Sequence, residues 1–144
     1  MHNIYHYFQI NCPIEKVFQG ISEPELIDQW WAKKTEGTVE TDAHYKLGFG
    51  LENNWEAKVI VCNKPTKFGL IVIKAHEDWV NTVVKFDLFS NGKEQTSVHF
   101  YHNDWRVDNE HYRISNYCWA MGLRILKRYL EHGEVVQYED RLNV

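Results

Sequence analysis

The chain is short of cysteine and of concentrated positive charge, and each shortage removes a class of function. Its 3 cysteines, Cys12, Cys62 and Cys118, are spread along the whole length. Neither a disulfide framework nor a Cys-x-x-Cys metal knuckle is available from them, and they read as small buried hydrophobes. Lys plus Arg total 16 against 20 Asp plus Glu, a formal net charge of −4 at pH 7. Nucleic-acid binding is excluded on this count, because neutralising phosphates takes a concentrated basic face. The one pair of adjacent lysines, Lys33 and Lys34, reads as a solvated loop. No apolar run approaches the ~18 residues that a membrane-spanning helix needs, and Met1-His2-Asn3-Ile4-Tyr5-His6 has neither the basic nor the apolar region of a secretory leader. A soluble, cytoplasmic protein without a membrane span is expected.

Catalytic signatures are equally scarce. There is no Gly-x-Ser-x-Gly turn, and no glycine-rich loop follows a strand to cradle phosphate. Gly48-Phe49-Gly50 sits inside an alternating segment and reads as a bend or bulge. What the sequence has in excess is aromatic: 6 Trp, 8 Tyr and 7 Phe make up 15% of 144 residues. The length suits one domain, 1–144, large enough for a genuine core. So many rings in so small a volume either fill that core or wall a cavity.

Hydrophobic periodicity divides the chain. Ile4 to Ile10 reads as a strand stopped by Cys12-Pro13. Ile14, Val17, Phe18 and Ile21 then fall at helical spacing. Ser22-Glu23-Pro24-Glu25 looks like a fresh helix start with Ser22 as cap, its apolar face formed by Leu26, Ile27, Trp30 and Trp31. Beyond Trp31 the period becomes two. Tyr45, Leu47, Phe49 and Leu51 alternate up to an Asn53-Asn54 turn, and Trp55, Ala57, Val59 and Val61 alternate after it. Further strands are expected over Phe68 to Lys74, over Val80, Thr82, Val84, Phe86 and Leu88, and over Thr96, Val98, Phe100 and His102. Consecutive hairpins with one apolar and one wet face form an antiparallel meander.

Glu110 to Glu131 has the pattern of a long helix, ended at His132-Gly133. Its apolar residues, Ile114, Cys118, Trp119, Met121 and Tyr129 among them, cover an arc of roughly 200°, about twice the minimum stripe of a surface helix. A helix buried so deeply calls for the concave face of a sheet around it. Ser115 and Gly122, the smallest side chains of that arc, allow two readings: close approach of helix and sheet, or a void open to a ligand.

This order, strand, two short helices, meander and C-terminal helix, resembles the START-like (Bet v 1-like, SRPBCC) helix-grip superfamily, in particular its activator-of-Hsp90-ATPase homologue branch. The resemblance rests on Phe8 to Phe18, on Ser22 to Trp31, and on Trp119 with Leu123, Leu126, Leu130, Glu131 and Gly133. Many members carry Gly-Trp where this chain has Cys118-Trp119. The resemblance implies an α+β fold, a curved antiparallel sheet wrapped around the C-terminal helix. It also implies an internal cavity that in relatives often holds a lipid, sterol or polyketide. It does not imply a reaction, since the fold serves carriers, cyclases, receptors and co-chaperone domains alike.

The expected function is therefore binding of a small hydrophobic or amphipathic ligand, with no cofactor and with a homodimer compatible with the sequence. His102, in phase with Thr96, Val98 and Phe100, is the leading polar candidate to orient a ligand. Trp31, Trp55, Phe86 and Phe100 are candidate walls, and Ser115, Cys118, Gly122 and Tyr129 are candidate ligand contacts on the helix. One alternative is a cyclase or dehydratase using His102 and Tyr129 as acid and base. Another is a stress- or chaperone-related partner module, disfavoured because the eukaryotic co-chaperones carry a further N-terminal domain. No metal is expected: His99 and His102 lie on opposite faces of their strand, no His-x-x-x-His falls on a helix, and no histidine has an evident carboxylate partner. Glu77-Asp78 and Glu139-Asp140 read as solvated surface.

Overall fold

The period-two segments assemble into one antiparallel sheet. The computed structural model describes residues 1–50 and 53–144, so Leu51, read above as part of an alternating strand, lies outside the described residues. The strands are β1 (His2–Ile10), β2 (Lys34–Glu36), β3 (His44–Gly48), β4 (Asn54–Asn63), β5 (Lys67–Lys74), β6 (Val83–Ser90) and β7 (Thr96–Trp105). They lie in the order β1-β7-β6-β5-β4-β3-β2, all neighbours antiparallel. From β2 to β7 each strand pairs with the next in sequence, and β1 closes against β7. Register shifts at Glu56/Ala57 and Val59/Val61 of β4 add local bend to the sheet, as bulges do.

Two expectations about the start of the sheet are corrected. Lys34 is not loop but the first residue of β2, an edge strand too short to show alternation. β6 begins at Val83 and not at Val80, because residues 75–82 form a connection in which Asn81 takes a left-handed φ of 68°. Gly50 has φ 108° beyond the end of β3, so Gly48-Phe49-Gly50 is the end of a strand and not a bulge within one.

Helix α1 (Ile14–Ser22) and the single turn α2 (Pro24–Ile27) follow β1. Ser22 caps nothing. It is the last residue of α1, its hydroxyl donates back to Phe18 O, and Glu23 precedes Pro24 as the cap position. Trp30 and Trp31 lie in the turns just past α2.

Helix α3 (Glu110–His132) crosses the open side of the sheet. Asn109 caps its start, accepting from Tyr112 N at 2.9 Å, and Gly133 in the left-handed region (φ 67°) ends it. Its far end is tied to the end of β1. Lys127 Nζ donates to Gln9 O and to Glu131 Oε2, and Glu131 accepts from Asn11 N at 2.7 Å. The apolar arc is not covered throughout. Ser115, Trp119, Leu123, Ile125 and Leu126 are buried, whereas Ile114 is 57% exposed. The breadth of the arc overstates the coverage because part of it faces a cavity. Inward-facing residues of β6 and β7, including Val84, Phe86, Leu88, Val98 and Phe100, form the core beneath α3, each contributing about 1.5–3 kcal/mol through burial. Among the described residues no helix is long and apolar enough to cross a membrane.

Candidate functional site

All 6 tryptophans of the chain meet in one continuous cluster. Trp30 stacks on Trp31 with centroids 5.9 Å apart, and Trp31 lies 5.1 Å from Trp119 of α3. Trp119 stacks on Trp79 at 5.7 Å, and Trp79 reaches Trp55 of β4 at 4.9 Å and Trp105 of β7 at 5.9 Å. Offset and tilted pairs of this kind stabilise by about 0.5–1.5 kcal/mol each beyond what the buried area contributes. Trp79 holds the centre, carried inward by the β5–β6 connection and donating its indole N–H to Ser115 Oγ at 3.3 Å. An indole flanked by His76 and Asp78 in an otherwise polar turn is the signal that could have identified it in the sequence.

Five of these indoles, Trp30, Trp31, Trp55, Trp79 and Trp119, line a cavity of about 850 Å³. Its floor is α3, with Ser115, Cys118, Met121 and Gly122 facing it. The β3–β4 hairpin contributes Phe49 and Trp55, the β5–β6 connection contributes His76 and Trp79, and Tyr138, Arg141 and Leu142 close one side from a C-terminal 3₁₀ helix (Tyr138–Asn143). Exposed Ile114 marks the side that opens to solvent. The apolar body has a polar rim of Lys74, His76, His111, Glu139 and Arg141.

Of the residues singled out from sequence, Trp31, Trp55, Ser115, Cys118 and Gly122 line this cavity. His102, Phe86, Phe100 and Tyr129 do not. Phe86 and Phe100 are core residues 5.1 Å apart, edge to face, with Phe100 packed under Trp119. Tyr129 is half-buried, two turns beyond Gly122 on α3. The small residue at 122 holds no tight helix–sheet contact, since a Cβ there would meet only Trp30 O at 3.7 Å and Trp30 Cε3 at 3.9 Å.

His102 is fully buried, and its two ring nitrogens are both engaged. Trp119 Nε1–H donates to Nδ1 at 2.9 Å, which leaves the ring proton on Nε2, facing Thr82 Oγ1 at 2.8 Å. The Thr82 hydroxyl in turn donates a hydrogen bond to Trp79 O at 2.6 Å. Burial, with a smaller contribution from the charge of His111, pushes the His102 pKa down to about 3. The imidazole is therefore a neutral structural bridge between β7, α3 and the β5–β6 connection. The expectation that it meets a ligand, or serves with Tyr129 as acid and base, is corrected by these contacts.

Contrary to the expectation from sequence, the rim holds histidines with a carboxylate partner. His76, Asp78 and His111 bring their ligand atoms within 4.8 Å of one another. Asp78 Oδ2 accepts from His111 Nδ1 at 3.0 Å and from Asn109 Nδ2 at 3.2 Å, and these bonds hold its carboxyl below the usual range. Glu77-Asp78 is thus no idle surface pair, and two histidines do have a carboxylate partner. On the opposite rim Arg141 donates to the carbonyls of Asp28, Ala32 and Val136 and lies over the Tyr138 ring at 5.3 Å. Tyr138 Oη donates to Phe49 O at 3.1 Å.

A curved antiparallel sheet gripping a long C-terminal helix, with an aromatic cavity between them, defines a helix-grip domain. The chain belongs to the family of activator of Hsp90 ATPase homolog 1-like proteins, whose model matches residues 11–131. Among solved structures it is similar to the Aha1 dimer of Colwellia psychrerythraea, with 26% identity, a TM-score of 0.83, and coverage of 93% of this chain and 99% of that one. A protein of Mesorhizobium loti matches with 18% identity and a TM-score of 0.82 over 93% of this chain and 100% of that one. CalU16 of Micromonospora echinospora matches with 14% identity and a TM-score of 0.74 over 98% and 81%. These last two show the fold alone. No curated protein matches the sequence.

Proposed function

We propose that the chain binds a small apolar or amphipathic molecule in the cavity between sheet and α3. The observation that carries this reading is a space of about 850 Å³ with five indole rings in its walls, within the range of small-molecule pockets. Trp30 and Trp119 spend their N–H groups on Gly20 O and His102. Those of Trp31 and Trp55 meet no acceptor among the described residues and are left to orient a ligand. The polar rim suits a ligand with an apolar body and one polar end.

Native mass spectrometry of gently purified protein, with titration of the apolar dye 1-anilinonaphthalene-8-sulfonate followed by tryptophan emission, tests this. Saturable quenching by one equivalent of dye is expected, weakened at least about tenfold in Cys118→Trp, whose added ring occupies the floor. Absence of both a co-purifying molecule and saturable dye binding would sink the proposal.

A second reading, a partner module acting on an Hsp90-type ATPase and assembling as a homodimer, is supported by the family match and by the likeness to the Aha1 dimer. Stimulation of such an ATPase and a concentration-dependent mass in sedimentation are its expected outcomes. A monomer without effect on the ATPase removes it.

A further inference from the structure

Two side chains of the β5–β6 connection and one from the first turn of α3, separated by 33 positions in the chain, converge at the mouth of the cavity. We propose that His76, Asp78 and His111 form a binding site for a divalent transition-metal cation of the zinc type. His111 Nδ1 and Asp78 Oδ2 are 3.0 Å apart, and His76 Nδ1 lies 3.8 Å from the same oxygen. Two ligands each about 2.1 Å from one ion stand about 3.0–3.4 Å apart at tetrahedral or octahedral angles. The first pair already has that spacing, and the second reaches it through a small turn of the His76 ring. That side chain is 50% exposed and is held by one hydrogen bond, from Asp78 N, and by edge-on packing against His111, whereas Asp78 is 18% exposed.

The connection that carries two of the ligands is fixed from outside the site. Arg106 donates to Glu77 O at 2.7 Å and to Val80 O at 3.2 Å, and Trp79 anchors the segment in the indole cluster. Asn109 orients the Asp78 carboxylate, and Trp105 packs edge-on against His111 at 5.7 Å. Outer contacts of this kind hold the ligands of protein metal sites in place. Without a cation, a proton on His111 Nδ1 occupies the gap to Asp78, and His76 Nδ1 accepts from Asp78 N at 3.1 Å. A cation takes over both lone pairs, the His111 proton moving to Nε2 and the His76 ring turning off the Asp78 N–H, which is left to water while Arg106 keeps its bond to Glu77 O.

Two imidazoles and one carboxylate select a borderline transition-metal ion over calcium or magnesium, which favour all-oxygen shells. Three protein ligands leave a coordination position open, as in catalytic zinc sites. Because His76 and His111 both line the cavity, that position borders it, where a carbonyl or carboxylate oxygen of an occupant would complete the shell. The site stands whether or not the cavity takes an apolar ligand, so its test uses the metal alone.

Isothermal titration of the metal-stripped full chain with Zn²⁺ is expected to show one equivalent bound. Asp78→Asn and His111→Gln each weaken it by about 10-fold or more, and His44→Gln, an exposed histidine of β3, leaves it unchanged. Addition of Co²⁺ to the wild-type chain is expected to broaden amide NMR signals around residues 76–78 and 109–111, a readout that needs no variant to fold. Absence of stoichiometric Zn²⁺ binding, broadening centred elsewhere, or folded Asp78 and His111 variants that bind as the wild type does would each overturn the assignment.

Discussion

At the scale of single residues, His102 shows how an environment sets chemistry. Period-two alternation places it on the inner face of β7, and that much is legible in the sequence. That both its nitrogens are consumed is not, because the partners, Trp119 and Thr82, lie 17 and 20 positions away in other elements. The bridge has a thermodynamic consequence with a definite sign. The native imidazole has its pKa lowered to about 3 from 6.5, so between these values the unfolded chain binds a proton that the folded chain refuses. The stabilisation is complete above pH 6.5 and is lost as pH falls toward 3, at about 1.4 kcal/mol per pH unit. Urea unfolding is expected to show no pH-dependent contribution from this ring between pH 7.5 and 6.5 and to approach this slope as pH falls below 6.5. His102→Gln should be less stable at neutral pH and should show a flatter dependence; an equal slope in both proteins would falsify the role given to this ring.

At the scale of elements, strands with a buried and a wet face are legible in the sequence, and so is α3 from Glu110 to its terminal glycine. The elements that carry no sequence signal lack one for a physical reason. β2 has three residues, too few for a period, and the β5–β6 connection packs Trp79 inward without any period at all. The same connection supplies two of the three metal-ligand candidates, so the candidate site was legible on the helix and hidden in the loop. Within α3, glycine has opposite meanings at two positions. A methyl group at Gly122 meets only ordinary contacts with Trp30, so Gly122→Ala should gain up to about 1 kcal/mol of helix propensity. Gly133 has φ 67°, where an L side chain costs about 1 kcal/mol, so Gly133→Ala should lose a similar amount. Chemical denaturation of both variants checks the pair. A loss at 122 comparable to that at 133 would mean that the space in front of α3 is tighter than its contacts indicate.

At the scale of the whole molecule, the aromatic excess resolves into two layers. Phe86 and Phe100 fill a core under α3, and the tryptophans form a bridge from that core to the cavity wall. One wall of the cavity comes from outside the sheet and α3. The C-terminal 3₁₀ helix buries none of its residues and is held mainly by Arg141, whose guanidinium reaches the carbonyls of Asp28, Ala32 and Val136. A segment held by polar contacts at the rim contributes little to the core, so its release should change access more than stability. Arg141→Ala is therefore expected to lower the thermal midpoint only slightly while raising the dissociation rate of bound 1-anilinonaphthalene-8-sulfonate severalfold in stopped-flow displacement. Cys118→Trp, by contrast, should lower dye occupancy without opening the rim. An unchanged dissociation rate in Arg141→Ala would show that the C-terminal segment does not gate the cavity. A collapse of thermal stability would show instead that the segment belongs to the fold proper, since only a part of the cooperative core can cost so much when three rim hydrogen bonds are removed.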